Sequence, residues 1–491
     1  MKLYLKGHDY RYAVEQILLT LFPKERPEYP GGPPQGERAE ISLHRGKTYV
    51  TAVCRLHLGG RVHSGSARIS RAALTDNLTE NRLLQRIIKL SFYRAGMQAG
   101  IPKPVWGALT GIRPGKIVTA YLEKGMSEAA ALSRFSREYD VSREKALLCL
   151  ETARAGIRVK EGLTPKDICL YIGIPFCPSR CAYCSFVSLA VEKSMKLISP
   201  FLEALYKDIE ATAKVVRELG LRVISVYIGG GTPTTLSARQ LDELCAKLAK
   251  AFDLSALRDY TVEAGRPDTI TKEKLEVICR HGVNRVSVNP QTMEDSVLEA
   301  IGRRHTAADI VKALEKVRMF SALTVNMDLI AGLPGDTPEG FGRSLDRVLG
   351  LSPENITVHT LSLKKGSRIM LEGAALPPAE DVGVMLKCAQ EKLQSAGYAP
   401  YYLYRQKFIS GGFENVGWAK SGFENLYNIC IMEELCSIIS MGGGASTKLV
   451  TGTGRIERIF APKYSYEYIS NIDKVISDKI KIKEFYDGLQ S

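Results

Sequence analysis

Between Asp167 and Leu361 short apolar runs alternate with segments of helical spacing, and this alternation narrows the possible folds more than any other feature of the chain. Strand candidates are Cys169–Ile174, Val223–Ile228, Asp259–Ala264, Arg285–Val288, Thr324–Leu329 and Asn355–Leu361. Helical patterns lie between and after them, near Ser199–Leu219, Ser237–Phe252, Thr271–Gly282, Met293–Ala300, Thr306–Arg318 and Pro338–Gly350. Six strands alternating with helices predict an α/β fold with a parallel sheet, curved into a barrel or left open. In such sheets reactive groups gather at the C-terminal strand ends. A loop of that kind follows the first strand directly: Cys177-Pro-Ser-Arg-Cys181-Ala-Tyr-Cys184.

Three thiolates in one short loop suit an iron–sulfur cubane in which one iron has no protein ligand, and so remains open to a small molecule. A structural zinc site would draw four ligands, commonly as two C-x2-C pairs or a pair with spaced histidines, and no such partner pair is present. The other cysteines, Cys54, Cys149, Cys169, Cys245, Cys279, Cys388, Cys430 and Cys436, are scattered and mostly expected to be small buried apolar residues. Nothing at the N-terminus resembles a signal peptide, so a disulfide framework is not expected. No apolar run approaches the roughly 18 residues of a membrane span, and a soluble cytoplasmic protein is expected. At 491 residues, 45% hydrophobic and 24% charged, there is ample material for about three domains. The net charge of +14 would suit nucleic acid, an acidic partner or a polyanionic small molecule, but the Lys and Arg residues read as a dispersed, solvated surface.

The first 160 residues read as a separate α+β module. A short strand at Met1–Leu5 and a helix at Tyr12–Phe22 precede a Pro/Gly loop, and alternation in Ala39–Leu43, Thr48–His57 and Arg61–Ile69 predicts an antiparallel meander. Helices follow near Asn81–Gly96, Pro114–Gly125 and Ser142–Ala155, where Ser142 with Lys145 makes half a capping box. The turn Leu109-Thr-Gly-Ile-Arg-Pro-Gly-Lys116 places Arg113 and Lys116 where an anion could meet them, although a surface turn leading into a Pro-started helix explains it equally.

The remaining strand ends carry what an adenosyl amino acid would need. Tyr227-Ile-Gly-Gly-Gly-Thr-Pro233 ends the second strand; Gly229, Gly230 and Gly231 allow close approach to bare backbone, and Thr232-Pro233 lacks the Lys-Ser/Thr of a phosphate loop. Glu263 ends the third strand, Gln291 follows the fourth, Arg303 follows the next helix and Asp328 lies near the end of the fifth. Each alone would more often be structural. Together they supply donors for a carboxylate and acceptors for a sugar at one barrel mouth.

The cysteine loop, with Tyr171-Ile-Gly-Ile-Pro-Phe before it, resembles that of the radical S-adenosylmethionine enzymes. Further stretches resemble the oxygen-independent coproporphyrinogen III oxidase family: Tyr227–Thr234, Thr261–Asp268, Arg285–Gln291, Ile301–His305, Asn326–Gly335, Glu414–Gly422 and Gly442–Ser446. The N-terminal module with Thr110–Gly115 points to its HemZ-like coproporphyrinogen dehydrogenase branch. The resemblance implies an N-terminal α+β domain over 1–160, a partial (β/α)6 radical SAM barrel over 161–370, and a mainly helical α+β C-terminal domain over 371–491.

By the same resemblance Cys177, Cys181 and Cys184 ligate a [4Fe-4S] cluster. One or two molecules of S-adenosylmethionine would be met by Tyr171, Tyr183, Gly229, Gly230, Gly231, Thr232, Glu263, Gln291, Arg303 and Asp328. The implied reaction uses a 5'-deoxyadenosyl radical to decarboxylate two propionates of coproporphyrinogen III oxidatively, giving protoporphyrinogen IX. A flavodoxin or ferredoxin-type protein would supply electrons, and neither nucleic acid nor a membrane span is expected. Arg113, Lys116, Arg405 and Lys407 are candidates for contacts to substrate carboxylates. The chain departs from the oxidase members at Gly173, where they carry His, and at Phe186, where they carry an additional Cys. Phe at that place is shared with the haem-chaperone branch. A haem chaperone, or another tetrapyrrole-modifying radical enzyme such as a methyltransferase or haem-degrading enzyme, therefore stands as the alternative.

Overall fold

The computed structural model describes residues 1–184, 189–190, 195–363, 367–406, 410–451 and 454–488; Phe186 and Lys407 lie outside these. The chain divides into two compact units, Met1–Leu150 with Gly411–Phe413, and Glu151–Ser410 with Glu414–Ser491.

In the first unit the strands Arg38–Arg45, Tyr49–Leu58 and Arg61–Ser70 form the expected antiparallel meander. Lys2–Lys6 joins its edge in parallel, beside Arg38–Arg45. One sheet face is apolar, with Ala39, Ile41, Leu43, Val50, Ala52, Cys54 and Leu56 packed against Val14, Ile17, Leu18, Leu84, Ile88 and Phe92 of two helices. The second of these, Asn77–Gln98, starts four residues before the expected position because the Asp76 carboxylate accepts from Leu78 N and Thr79 N, both at 2.9 Å. A helix at Glu128–Tyr139, capped by Ser127, was not foreseen. The half capping box at Ser142 is formed, Lys145 N donating to Ser142 Oγ at 3.2 Å.

In the second unit all six expected strands are present, as Asp167–Ile174, Arg222–Gly230, Asp259–Glu263, Arg285–Ser287, Thr324–Ala331 and Asn355–Thr360. They lie in sequence order and pair in parallel. Most of their central positions are buried, with apolar residues such as Ile172, Val226, Val262, Val286, Met327 and Val358 fully enclosed. The intervening helices begin where the sequence supplies hydroxyl caps: Ser237, Thr271, Thr306 and Thr337 each accept from a backbone N–H three residues on.

Residues 371–491 build outward from both edges of this same sheet. Glu414–Ala419 pairs antiparallel with Asn355–Thr360, and Ala399–Arg405 follows it. At the other edge Ser437–Gly442 pairs in parallel with Asp167–Ile174, adding a seventh parallel strand, and two antiparallel strands complete an open sheet of eleven.

The seventh strand explains Gly173. Gly173 and Gly442 are partners in register, and Gly442 has φ +100° with its missing Cβ only 2.3 Å from the Gly173 carbonyl oxygen. A Cβ at 173 would lie 3.2 Å from the Gly443 carbonyl oxygen, so a larger side chain there would force the Gly442–Gly444 turn away. A buried ion pair anchors the turn from behind: Asp208 accepts from Lys479 Nζ at 2.7 Å, Tyr468 OH at 2.7 Å and Gly442 N at 3.2 Å. Replacing Asp208 by Ala leaves the Lys479 ammonium buried without its counter-charge and should cost about 3–5 kcal/mol, read as a lowered urea midpoint; a loss below about 1 kcal/mol would show that the pair is not buried in solution.

Candidate functional site

The cysteine loop is held against the end of the second strand by backbone. Gly231 N donates to Ile174 O at 2.8 Å and Thr232 N to Phe176 O at 2.7 Å. This closeness accounts for the run of glycines. A Cβ at Gly231 would lie 2.5 Å from Phe176 O, and one at Gly229 would lie 2.7 Å from the Tyr227 ring and 3.0 Å from the Glu263 carboxyl. Gly230 has φ +110°, with Ile174 backbone and the Tyr171 hydroxyl beside it. The glycines thus let the loop and strand approach one another, a requirement separate from any ligand.

Around the thiols the structure places two buried guanidiniums. Arg266 Nη1 lies 3.5 Å from Cys181 Sγ, and its Nη2 donates to Ser179 Oγ at 3.0 Å. Arg303 donates to Tyr183 OH at 3.1 Å, to Asn289 O at 2.6 Å and to Gly265 O at 3.3 Å. Burial opposes ionisation of Cys181, but Arg303 and Arg266 outweigh it and bring the thiol below its ordinary range. Thr232 Oγ1 is 3.5 Å from Cys177 Sγ. These partners favour thiolate ligands, the form an iron cluster needs. His305, at the end of the Ile301–His305 stretch, is pushed down to about 4 by burial and then by Arg303 and Arg266, so it stays neutral.

Two carboxylates sit in contrasting surroundings. Glu263 is half-buried and its pKa is raised to about 7, chiefly by desolvation, although Tyr227 OH donates to it at 2.6 Å and opposes the rise. Asp328 is also desolvated, yet the His359 ring, 3.7 Å away, and the Asn326 amide, whose Nδ2 donates at 2.8 Å, outweigh burial and keep it ionised. Tyr227 in turn stacks with Tyr427 at 4.5 Å and Tyr171 at 6.2 Å between centroids.

Gln291 reaches this end of the sheet through strained backbone. It has φ +68°, donates its N–H to Asp328 O at 2.8 Å and accepts from Ile330 N at 2.9 Å, bridging from the end of the fourth strand to the fifth. Beside Arg303, Asn289 Oδ1 and Arg303 Nε are buried and find no hydrogen-bond partner among the described residues. Orphaned polar atoms, a thiolate-favouring loop and strand-end carboxylates fit a polar cofactor seated on a cysteine-held cluster.

The sequence did not single out Arg266, His359, Asn326, Tyr227 or Tyr427. Arg266 had a signal, three residues past Glu263 on the same strand-end loop. Tyr427 had none, because it comes from a helix 256 positions beyond Tyr171 in the chain. Arg405 ends an antiparallel strand near the sheet edge, while Arg113 and Lys116 belong to the N-terminal unit.

Comparison with known proteins agrees with this architecture. Residues 171–348 match the radical SAM superfamily. The chain is 39% identical over 385 residues to the oxygen-independent coproporphyrinogen-III oxidase-like protein HemZ of Bacillus subtilis, covering 77% of each chain. It is 32% identical over 264 residues to the heme chaperone HemW of the same organism, covering 53% of this chain and 65% of that one. Coproporphyrinogen III oxidase (HemN) from Escherichia coli superposes with a TM-score of 0.52 at 22% identity, over 67% of this chain and 72% of that chain, a likeness of fold. With the sheet, the cysteine loop and a relative of this identity and coverage in agreement, the chain belongs to the radical SAM superfamily, in its HemZ-like coproporphyrinogen-III oxidase family.

Proposed function

We propose that this protein converts coproporphyrinogen III to protoporphyrinogen IX without oxygen, by oxidative decarboxylation of two propionates. The observation that carries the reading is the 39% identity, over 77% of both chains, to a relative named as coproporphyrinogen-III oxidase-like. Family membership brings a [4Fe-4S] cluster and S-adenosylmethionine, which together supply a 5'-deoxyadenosyl radical able to take hydrogen from an unactivated carbon. Each propionate then loses a β-hydrogen, carbon dioxide and one electron, leaving a vinyl group. A flavodoxin or ferredoxin-type donor would supply reducing electrons.

In this reading Cys177, Cys181 and Cys184 hold the cluster, and Arg266 and Arg303 keep Cys181 in its thiolate form. Tyr171, Tyr183, Gln291, Arg303 and the backbone of Gly229–Thr232 line the cofactor's seat. Ionised Asp328 and, above neutral pH, ionised Glu263 accept hydrogen bonds from its hydroxyl or ammonium groups. The stack of partly buried Tyr171 and Tyr227 on buried Tyr427 shields that side from water.

A haem chaperone is the second reading, favoured by the similarity to HemW and by Phe186 in place of a further cysteine. Anaerobic incubation of the reconstituted protein with adenosylmethionine, a reductant and coproporphyrinogen III separates the two. The oxidase reading expects a porphyrinogen lighter by two carbon dioxides and four hydrogen atoms by mass spectrometry. Deoxyadenosine formation without decarboxylated product, or stable haem binding without either, would overturn it.

Two further outcomes follow from the residues. Cys181→Ala should remove cluster iron and abolish deoxyadenosine formation, and persistent cofactor cleavage would refute its role as a ligand. Because the Glu263 carboxyl titrates near about 7, protonation below that pH removes an acceptor. Adenosylmethionine should therefore bind about tenfold more weakly at pH 6 than at pH 8, while Glu263→Gln binds weakly and equally at both. The comparison is made by equilibrium binding at constant cluster content; an unchanged pH profile in the variant would exclude Glu263.

A further inference from the structure

Three of the cysteines that are scattered in the sequence converge in the folded second unit. Cys169 lies on the first strand, Cys430 in the helix Leu426–Glu433 and Cys436 one residue before the strand Ser437–Gly442. All three are buried, and their sulfurs all lie within 4.8 Å of one another. Cys169 Sγ and Cys436 Sγ are 3.7 Å apart. They share an apolar cluster with Tyr427, against which Tyr171 and Tyr227 pack. Cys169 is two residues before Tyr171, so the two side chains leave the strand on the same face.

The spacing selects the kind of group that could sit there. A thiolate binds a zinc-like ion at about 2.3 Å, so three thiolates around one ion are about 4 Å apart. The Cys169–Cys436 pair, at 3.7 Å, is close to that, and all three sulfurs lie within 4.8 Å of one another. An iron–sulfur cubane ties each cysteine to a different iron and holds the sulfurs farther apart. Sulfur-only ligation selects soft d10 ions, and three donors with no fourth Cys, His, Asp or Glu in the group among the described residues suit trigonal rather than tetrahedral coordination.

We propose that Cys169, Cys430 and Cys436 form a mononuclear trigonal thiolate site for copper(I), distinct from the cluster loop at Cys177, Cys181 and Cys184. An ion there ties three elements together: the strand that carries Tyr171, the helix that carries Tyr427 and the start of the seventh parallel strand. It clamps the base of the tyrosine stack. The site rests on sulfur geometry alone and stands whether the enzyme is an oxidase or a chaperone.

The test uses the full-length protein with its iron–sulfur cluster reconstituted under anaerobic conditions. One portion is loaded with zinc(II) and another with copper(I), and each is passed through a chelating column before metal analysis. The copper(I) arm should retain about one added ion per chain, with an X-ray absorption shell of three sulfurs at about 2.3 Å, and retention of zinc(II) alone would overturn the assignment. Cys430→Ala should lose this ion and keep its iron and sulfide, whereas Cys177→Ala should lose iron and keep the ion. Retention below about a tenth of an ion per chain in both arms would mean that the three thiols only pack, and would overturn the site. Nitrogen or oxygen neighbours in the wild-type absorption spectrum would overturn it too, as would retention of the ion by Cys430→Ala. The wild-type spectrum decides the matter even if a variant folds poorly.

Discussion

Close backbone approach at the C-terminal end of the first strand is the constraint on which the site depends. On one side the second strand comes near enough for Gly231 and Thr232 to bond Ile174 and Phe176; on the other Gly442 abuts Gly173. Side chains at these glycines would push one neighbour or the other away. The cysteine loop is therefore positioned by two strands pressing on its root, and its own sequence needs only to supply the thiols.

Charge within this framework is arranged by burial. Arg266 and Arg303 lie where water is largely excluded, so their effect on Cys181 is not dissipated by solvent. The same exclusion raises Glu263, while Asp328, equally desolvated, is held ionised by its donors. Two carboxylates on neighbouring parts of one sheet end thus differ in protonation near neutral pH because Asp328 has the His359 ring and the Asn326 amide beside it, whereas at Glu263 desolvation outweighs the Tyr227 hydroxyl.

Elements governed by local rules were legible in the sequence. The six parallel strands and their helices, including the helix starts at Ser237 and Thr306, and the N-terminal meander follow from periodicity and turn chemistry within a few residues. What depends on distant parts of the chain was not. Ser437–Gly442 carries no mark of its pairing with Asp167–Ile174, and the convergence of Cys169, Cys430 and Cys436 exists only after that pairing. The helix Glu128–Tyr139 is a different case: its Ser127 cap and alanine-rich start were present to be read. The glycine run was read for ligand access, whereas its packing against Phe176 and Glu263 needed the fold to be seen.

The placement of that seventh strand also bears on how the chain is made. During synthesis Asp167–Ile174 and its cysteine loop emerge well before residues 437–442, which close one flank of the strand. Until then it is an open sheet edge with unpaired backbone groups, the kind of surface that invites mispairing. Pairing across so long a stretch of chain is also slow. The loop meant for an iron cluster thus spends its first moments on a half-built support, and a nascent chain stalled before residue 437 would present thiols without their final frame.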